Sequence, residues 1–376
     1  MRTKVILSVL ATLLVFLFMS CEDTAVNPTE DLGILPESFS VKIPGSLTSE
    51  TLKSAGMKST SSEDPEGDDV YAMLAFFIYV GEQSADLVED IILSIAIHGI
   101  NKPMELSFVS DDDSRLKNLT VINDAEFEGE LYEHGLTITD AESESEEDGG
   151  KAMQVFWNTN PVNGISIIKP FNLDRRSSGT FLNTMYRVEY TNKATVNYDE
   201  SMVVMISGLP LADPSADRFS LETMKMFVGR KGDAVDVYGN SNHPNAYLFN
   251  EDNVGFNWAF VASGYTNVDM GVAEVGLPPS DLNDDSRETI LGDYAIKQVF
   301  TNEINDWFIA NFGVKPDSAD LSQRLQHVDA PGYFADGSLV QAGTMPGEEY
   351  AEIDSRITSL SPFKPSEVST LVLSFK

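Results

Sequence analysis

Eleven consecutive residues, Val70 to Val80, read VYAMLAFFIYV and carry no charge. Wound into a helix, such a run presents apolar groups on every side, and a helix apolar all round has to be covered all round. The run opens a longer helical pattern. Asp68 and Asp69 are good helix-starting residues, and Leu74, Phe77, Ala85, Val88, Ile92 and Ile95 recur at helical spacing until Gly99, Asn101 and Pro103 supply a stop. Glu82, Asp86, Glu89 and Asp90 fall on the opposite side, as a polar face. About 30 residues rising 1.5 Å each make a helix of roughly 45 Å. The pattern predicts a core helix wrapped by a sheet, the other use of so apolar a run being to dip into a membrane or to cover a ligand.

Beyond Pro103 the period changes from helical to two. In MYRVEY, Tyr186, Val188 and Tyr190 share one face; in MQVFW, Met153, Val155 and Trp157 do so, and in ETMKMFV, Met224, Met226 and Val228. ESMVVMISGLPL is a continuous apolar run and suits a strand covered on both faces. MELSFVS, LTVIND, FEGELYEHGLTIT, GISIIKPF, AVDVYGN and FNWAFVASGY are further strand candidates, separated by turn chemistry such as NPVNG, GRKGD and NSNHPN. A second helix is expected from a cap at Asp285 or Ser286 to Gly313 and Pro316, with Ile296, Phe300, Ile304, Trp307 and Phe308 as its buried stripe. GSLVQAG and STLVLSF read as closing strands. The expected fold is therefore α+β: a large curved antiparallel sheet, half-barrel-like, with a long apolar N-terminal helix and a second, amphipathic helix near the C-terminus.

Charge narrows the partners. Acidic residues number 59 against 25 basic ones, a formal charge of −34. That field repels phosphate backbones, so nucleic acid is not an expected partner, whereas calcium is compatible with so much carboxylate. A single cysteine rules out an intrachain disulfide framework and any zinc site built on cysteines.

That cysteine has a telling position. Arg2 and Lys4 precede the apolar segment Val5 to Met19, and Ser20-Cys21 follow it. A short basic region, an apolar core of this length and a small residue before the break form a secretory signal pattern; a permanent transmembrane helix needs roughly 20 apolar residues. With Leu17 and Ser20-Cys21, the segment resembles the signal of bacterial lipoproteins, whose lipobox ends in a cysteine that is acylated and becomes the first residue of the mature chain. Phe18 stands where such lipoboxes usually carry leucine. Glu22-Asp23 resemble the surface-export signals of Bacteroidota lipoproteins, and DTA (Asp23 to Ala25) and DSA (Asp317 to Ala319) are similar to the short O-glycosylation motif of that phylum. The resemblance covers residues 1–21 and implies an outer-membrane address, periplasmic or surface-exposed, with the membrane as a partner through the acyl chains. The implied organisation is a signal peptide over 1–20, an acylated Cys21 and flexible tether over 21–68, and a single α+β domain over 69–376. SFSVKIP, within the tether, has the pattern of a short strand.

Catalytic signatures are missing. The chain has no G-x-S-x-G elbow, no glycine-rich phosphate loop and no paired histidine spacing among His98, His134, His243 and His327. Carboxylates offer weak metal candidates. Glu126, Glu128 and Glu130 would project from one face of a strand, a repulsive row unless solvated or bridged by a cation. Asp111-Asp112-Asp113 read as a turn, since three successive side chains diverge. DLNDDSRETILGD lacks the glycine and the glutamate of a calcium loop, so capping explains its acids. No cofactor is implied beyond a calcium ion at such acids. Lys169, Arg175 and Arg176 stand close together in a very acidic chain and are candidates either for pairing with neighbouring acids or for binding an anionic head group. DAESESEEDGG, residues 140–150, repels itself and is expected to be an exposed loop.

The expected function is that of a lipid-anchored, non-catalytic binding module for an apolar or lipid-like ligand. The helix followed by many antiparallel strands is similar in architecture to the half-barrel of bacterial lipoprotein carriers, and Met202, Met205, Met224 and Met226 would suit an adaptable apolar pocket. The alternatives are a carboxylate-based hydrolase of envelope or imported glycans, with acids beside Trp157 or Trp258 at a cleft mouth, and a calcium-stiffened surface or adhesion module.

Overall fold

The computed structural model describes residues 34–48, 67–96, 98–176, 179–213, 217–249, 255–325 and 328–376. Cys21 and the signal pattern lie outside the described residues, as does His327. The described chain divides into two compact units, neither continuous in sequence. The first comprises residues up to Val41, Glu82–Pro210 and Val372–Lys376; the second comprises Lys42–Gly81 and Leu211–Leu371. A short helix, α1 (Gly45–Thr48), precedes α2 (Gly67–Ala96), whose residues up to Gly81 belong to the second unit and whose remainder belongs to the first.

Period-two patterning gives the first unit seven strands: β1 (Met104–Val109), β2 (Leu116–Phe127), β3 (Glu130–Asp140), β4 (Lys151–Thr159), β5 (Val162–Ile168), β6 (Met185–Thr191) and β7 (Glu200–Ser207). Each pairs antiparallel with its neighbour in sequence. A four-residue helix, α3 (Pro170–Leu173), follows β5, with proline at its start where the missing N–H costs nothing. Leu119, Val121, Leu136, Met153, Val155, Trp157, Val188 and Val204 form the buried face. FEGELYEHGLTIT, expected as one strand, is a hairpin. Glu128 and Gly129 both adopt positive φ, the two-residue turn whose twist matches paired strands, and Phe127 pairs with Glu130. In β7 the expected burial on both faces is replaced by alternation: Met202, Val204 and Ile206 are buried, Val203 and Met205 only partly.

The second unit holds β8 (Thr223–Lys231), β9 (Ala234–His243), β10 (Phe256–Tyr265), β11 (Met270–Gly276), β12 (Gly332–Ala335) and β13 (Ser338–Ala342), again paired antiparallel in sequence order. Here β10 is the strand buried along nearly its whole length. The helix expected after Ser286 is broken. A π-helical turn over Glu288–Asp293 precedes α4 (Ile296–Phe312), because Ala295 is drawn into a bridge with Gly276. Gly276 is required there, since a Cβ would collide with the Ile290 carbonyl. Ile296, Phe300 and Ile304 are buried, while Trp307 and Phe308 are half-exposed. Three short helices follow: α5 (Ser318–Arg324), α6 (Ala351–Ile357) and α7 (Pro365–Ser369). STLVLSF is not the expected strand; its start completes α7 and its end forms no ladder. The described residues thus make a mixed α+β protein dominated by antiparallel strands.

Residues 34–48, read from the sequence as part of the tether, are packed. Phe39 and Val41 are fully buried in the first unit, where Glu89 Oε2 accepts from Phe39 N at 2.9 Å and Ser40 Oγ at 3.0 Å. In the second unit Leu47 lies against Gly264 and Gly271, which leave room for it. The first half of α2 meets four strands of the second unit. Its Tyr71 hydroxyl donates to the Asp329 carbonyl at 3.0 Å, with its ring over Gly332 and edge-on to Phe334. Phe77 lies 5.7 Å from Trp258 and 4.9 Å from His243, and Gly81 admits Met224 and Met226. Each fully buried side chain of Phe size contributes on the order of 1.5–3 kcal/mol.

A polar clasp fastens α6 to the same sheet. Arg356 donates to both oxygens of Asp236 at 2.9 and 2.7 Å, and Ser263 Oγ donates to Asp236 at 2.8 Å. Around it Ile353 and Ile357 join Val261, Val272, Tyr333 and Tyr350 in a core cluster. Arg356→Ala removes the bidentate cation from the buried Asp236 carboxylate and is expected to cost about 3 kcal/mol. A urea unfolding curve read by circular dichroism checks this through the fall in midpoint.

Candidate functional site

The second half of α2 carries two apolar faces. Ala85, Val88, Ile92 and Ile95 are buried, and beside them Leu87 and Ile91 are only partly covered. Leu87, Ile91, Ser94 and Ile95 form one wall of a cavity of about 150 Å³, faced by Phe108 of β1, Ile138 of β3, and Pro170 and Leu173 of α3. Ser110, Asp111, Asp112, Lys117 and Asp174 complete the lining, so the void has a mostly apolar lining with a polar part drawn from the β1–β2 turn, β2 and the residue after α3. An apolar void of about this size is large enough to take a benzene ring. Small-molecule sites share such a lining, an apolar wall with a few polar groups, at volumes of about 300 Å³ and more.

Lys117, although it lines the cavity, offers it no proton. Its side chain is 2% exposed, and its ammonium donates to Asp113 at 2.9 Å, Asp140 at 2.8 Å and the Asn172 carbonyl at 3.0 Å, which uses all three donors. Asp140 also accepts two 2.7 Å hydrogen bonds from Arg115. Burial alone would raise the Asp140 carboxyl, but the bonds from Arg115 and Lys117 outweigh it and hold the group far below the usual carboxylate range. Asp113 is lowered in the same way: burial opposes, and Lys117 with the Arg175 and Arg115 amides prevails.

The expected cation cluster sits beside this network, each member facing an acid. Lys169 meets Asp148 at 2.5 Å, Arg175 grips Glu146 with bonds of 3.0 and 2.8 Å while stacking on Phe171, and Arg176 bonds Asp174 at 3.2 Å. Of the two uses open to these residues, pairing with neighbouring acids is the one the geometry displays. Asp140, Ser143 and Asp148 anchor the acidic loop, and its remaining glutamates face solvent. Asp111 to Asp113 form the turn between β1 and β2. The glutamate row does not exist: Glu126 is the last but one residue of β2, Glu128 occupies the hairpin turn and is held by Arg187 at 2.6 and 2.7 Å, and Glu130 opens β3. Among the described residues no group of three or more acidic, histidine or cysteine side chains is gathered as a metal would require. Asp284 accepts from Ser286 N at 2.8 Å and Thr289 Oγ1 at 3.1 Å, a turn-and-cap role.

A hydroxyl–imidazole pair went unsignalled by any motif. Ser241 and His243 share one face of β9, and Ser241 Oγ lies 2.8 Å from His243 Nε2. His243 Nδ1 lies 2.7 Å from the Phe219 carbonyl, which can only accept, so Nδ1 carries the proton and Nε2 accepts from Ser241. The pair resembles the start of a nucleophilic relay, but both residues are fully buried and Phe77, Phe256 and Trp258 surround the ring. Burial lowers the imidazole to about 4 against the weaker, opposing pull of the Phe219 and Ser220 carbonyls. Trp157 and Trp258 are equally sealed, Trp157 donating to the Ile34 carbonyl at 2.8 Å, so neither presents the sugar-stacking face expected at a cleft mouth.

Comparison of the chain with protein-family models, curated sequences and solved structures finds no match.

Two stability measurements follow from these environments. Carboxyls held below an unfolded value of about 4 stabilise the first unit above that pH, and the contribution falls away as pH drops further. Lys117→Met removes the shared ammonium from Asp113 and Asp140 and is expected to cost about 3–5 kcal/mol near neutral pH, with a shallower loss in acid. Urea midpoints at neutral pH and at pH 3 test both statements. For His243 the unfolded chain gains the proton first. Stability is therefore lost as pH falls from 6.5 to about 4, and His243→Gln is expected to remove that slope from an acid titration of the unfolding midpoint.

Proposed function

We propose that this chain is a lipid-anchored outer-membrane lipoprotein, held by acyl chains on Cys21, whose folded part binds an apolar or lipid-like ligand without transforming it. The observation that supports the binding role is the cavity lined by Leu87, Ile91 and Ile95 of α2, most of whose lining is apolar. Its size suits the end of an acyl chain or a single ring. The likeness to the half-barrel of lipoprotein carriers belongs to the same proposal, since there too an apolar helix and the face of an antiparallel sheet enclose acyl chains.

The polar part of the lining sets the head-group preference. It holds Asp111, Asp112 and Asp174, with Arg176 bonded to Asp174 at 3.2 Å and 4.0 Å from Asp112, and the lining cation, Lys117, is saturated. A neutral or hydroxyl-bearing head is favoured, and a fatty-acid carboxylate is opposed by like charge.

Native mass spectrometry of residues 24–376, before and after organic extraction, tests the proposal. A retained apolar molecule is expected, lost on extraction and restored by n-decanol more readily than by decanoate. Ile91→Trp, which fills the cavity, is expected to abolish retention while leaving the circular dichroism spectrum unchanged. An apo mass throughout, with no n-decanol uptake, would overturn the binding role.

A further inference from the structure

Across β2 to β7, the sheet face opposite Val155 and Trp157 would ordinarily be polar, yet it carries an apolar strip. Phe127 and Phe156 stack at 4.6 Å, and Ile167, Met185 and Tyr132 extend the strip, all of them buried. The cover is a piece of the chain itself. Leu373 and Phe375, two residues apart, pack down on the strip while Val372 and Ser374 face solvent. Side chains of the sheet, rather than a strand ladder, hold the backbone: Leu373 N donates to Ser207 Oγ at 3.2 Å and Lys376 N to Gln154 Oε1 at 2.9 Å. The Lys376 ammonium reaches the Glu126 carbonyl, and Lys151 reaches the Lys376 main-chain oxygen.

This face is longer than its occupant. Tyr132 and Ile165 belong both to the strip and to an adjoining open trough of about 610 Å³. The register lines up Asn158, Asn163, Thr191 and Ser201 across β4 to β7, a row of amides and hydroxyls along that trough. They are the same kinds of groups that Ser207 and Gln154 offer to the backbone of residues 373–376.

We propose that this face is a docking surface for an extended segment of a partner protein, and that residues 372–376 occupy it in cis. The seated segment defines the partner's chemistry. Apolar side chains two residues apart point to one side of an extended chain, free N–H groups meet side-chain hydroxyls and amides, and a basic residue follows. Glu189 in the trough is already bonded to Arg187 and Lys193 lines the same trough, so the basic residue is taken from Lys376 of the seated segment and suits a chain of net charge −34.

The test compares the full chain with one lacking residues 372–376, using fluorescence anisotropy of labelled peptides VLSFK and VSSSK. The shortened protein is expected to bind VLSFK and not VSSSK, and the full chain to bind VLSFK at least about tenfold more weakly, because its own segment competes at high effective concentration. Should circular dichroism show the shortened chain unfolded, the full-length double variant Leu373→Ser, Phe375→Ser takes its place in the same assay. A folded protein that does not prefer VLSFK over VSSSK overturns the proposal. So does dimerisation through exchanged segments, seen as a doubled mass by light scattering and suppressed by VLSFK, which would make the occupant a second copy.

Discussion

An uncharged helical run has to find apolar partners on all its sides, and α2 does so with unusual economy of space. In the second unit Tyr71, Phe77 and Gly81 are met by β12, by β9 and β10, and by the methionines of β8. Glycines at 81 and 332 bring helix and sheet together where a side chain would hold them apart. In the first unit the helix turns amphipathic, and its acidic face is put to use: Glu89 pins the extended residues 38–40. The partly covered residues between that face and the buried one, Leu87 and Ile91, are the ones that line the cavity. The change of pattern along one helix, from apolar all round to two-sided, therefore separates a region that only packs from one with a void.

Excess acid shapes the rest. With 59 acidic residues to 25 basic ones, a buried cation meets more than one carboxylate, as Lys117 does with Asp113 and Asp140. Such a network specifies geometry more than it adds stability, since desolvation offsets much of the attraction. It ties β2, β3 and the loop after β3 to α3 and supplies part of the polar lining of the cavity. Lys169 and Arg175 brace the same wall from outside. The result at the cavity is a polar lining of acids and a cation with no donor to spare.

Much of the fold was legible because period carries it. MQVFW, MYRVEY and ETMKMFV show the alternation that became β4, β6 and β8. Reading failed where a local signal was weak or was overridden. Glu128, a non-glycine at positive φ, hid a hairpin inside FEGELYEHGLTIT. The short, glycine-bounded β11 and β12 show little alternation. STLVLSF alternates as a strand does, but it meets a sheet face rather than an edge, and no ladder can form there. The candidate site was less legible than the fold. Its wall draws on residues 87 to 174 in five separate segments, and Ser241 and His243 gain their meaning only from the Phe219 carbonyl and the rings around them.

By itself the sequence determined the class: helix and strand periods, an excess of acid and the lack of any intrachain disulfide follow from residue types and spacing, which are local quantities. Tertiary structure alone decided which cations are consumed by which acids, where α2 is covered and where it leaves a void, and that Leu373 and Phe375 lie on a sheet face. Those outcomes depend on distances between residues far apart in the chain, and a linear pattern carries no record of them.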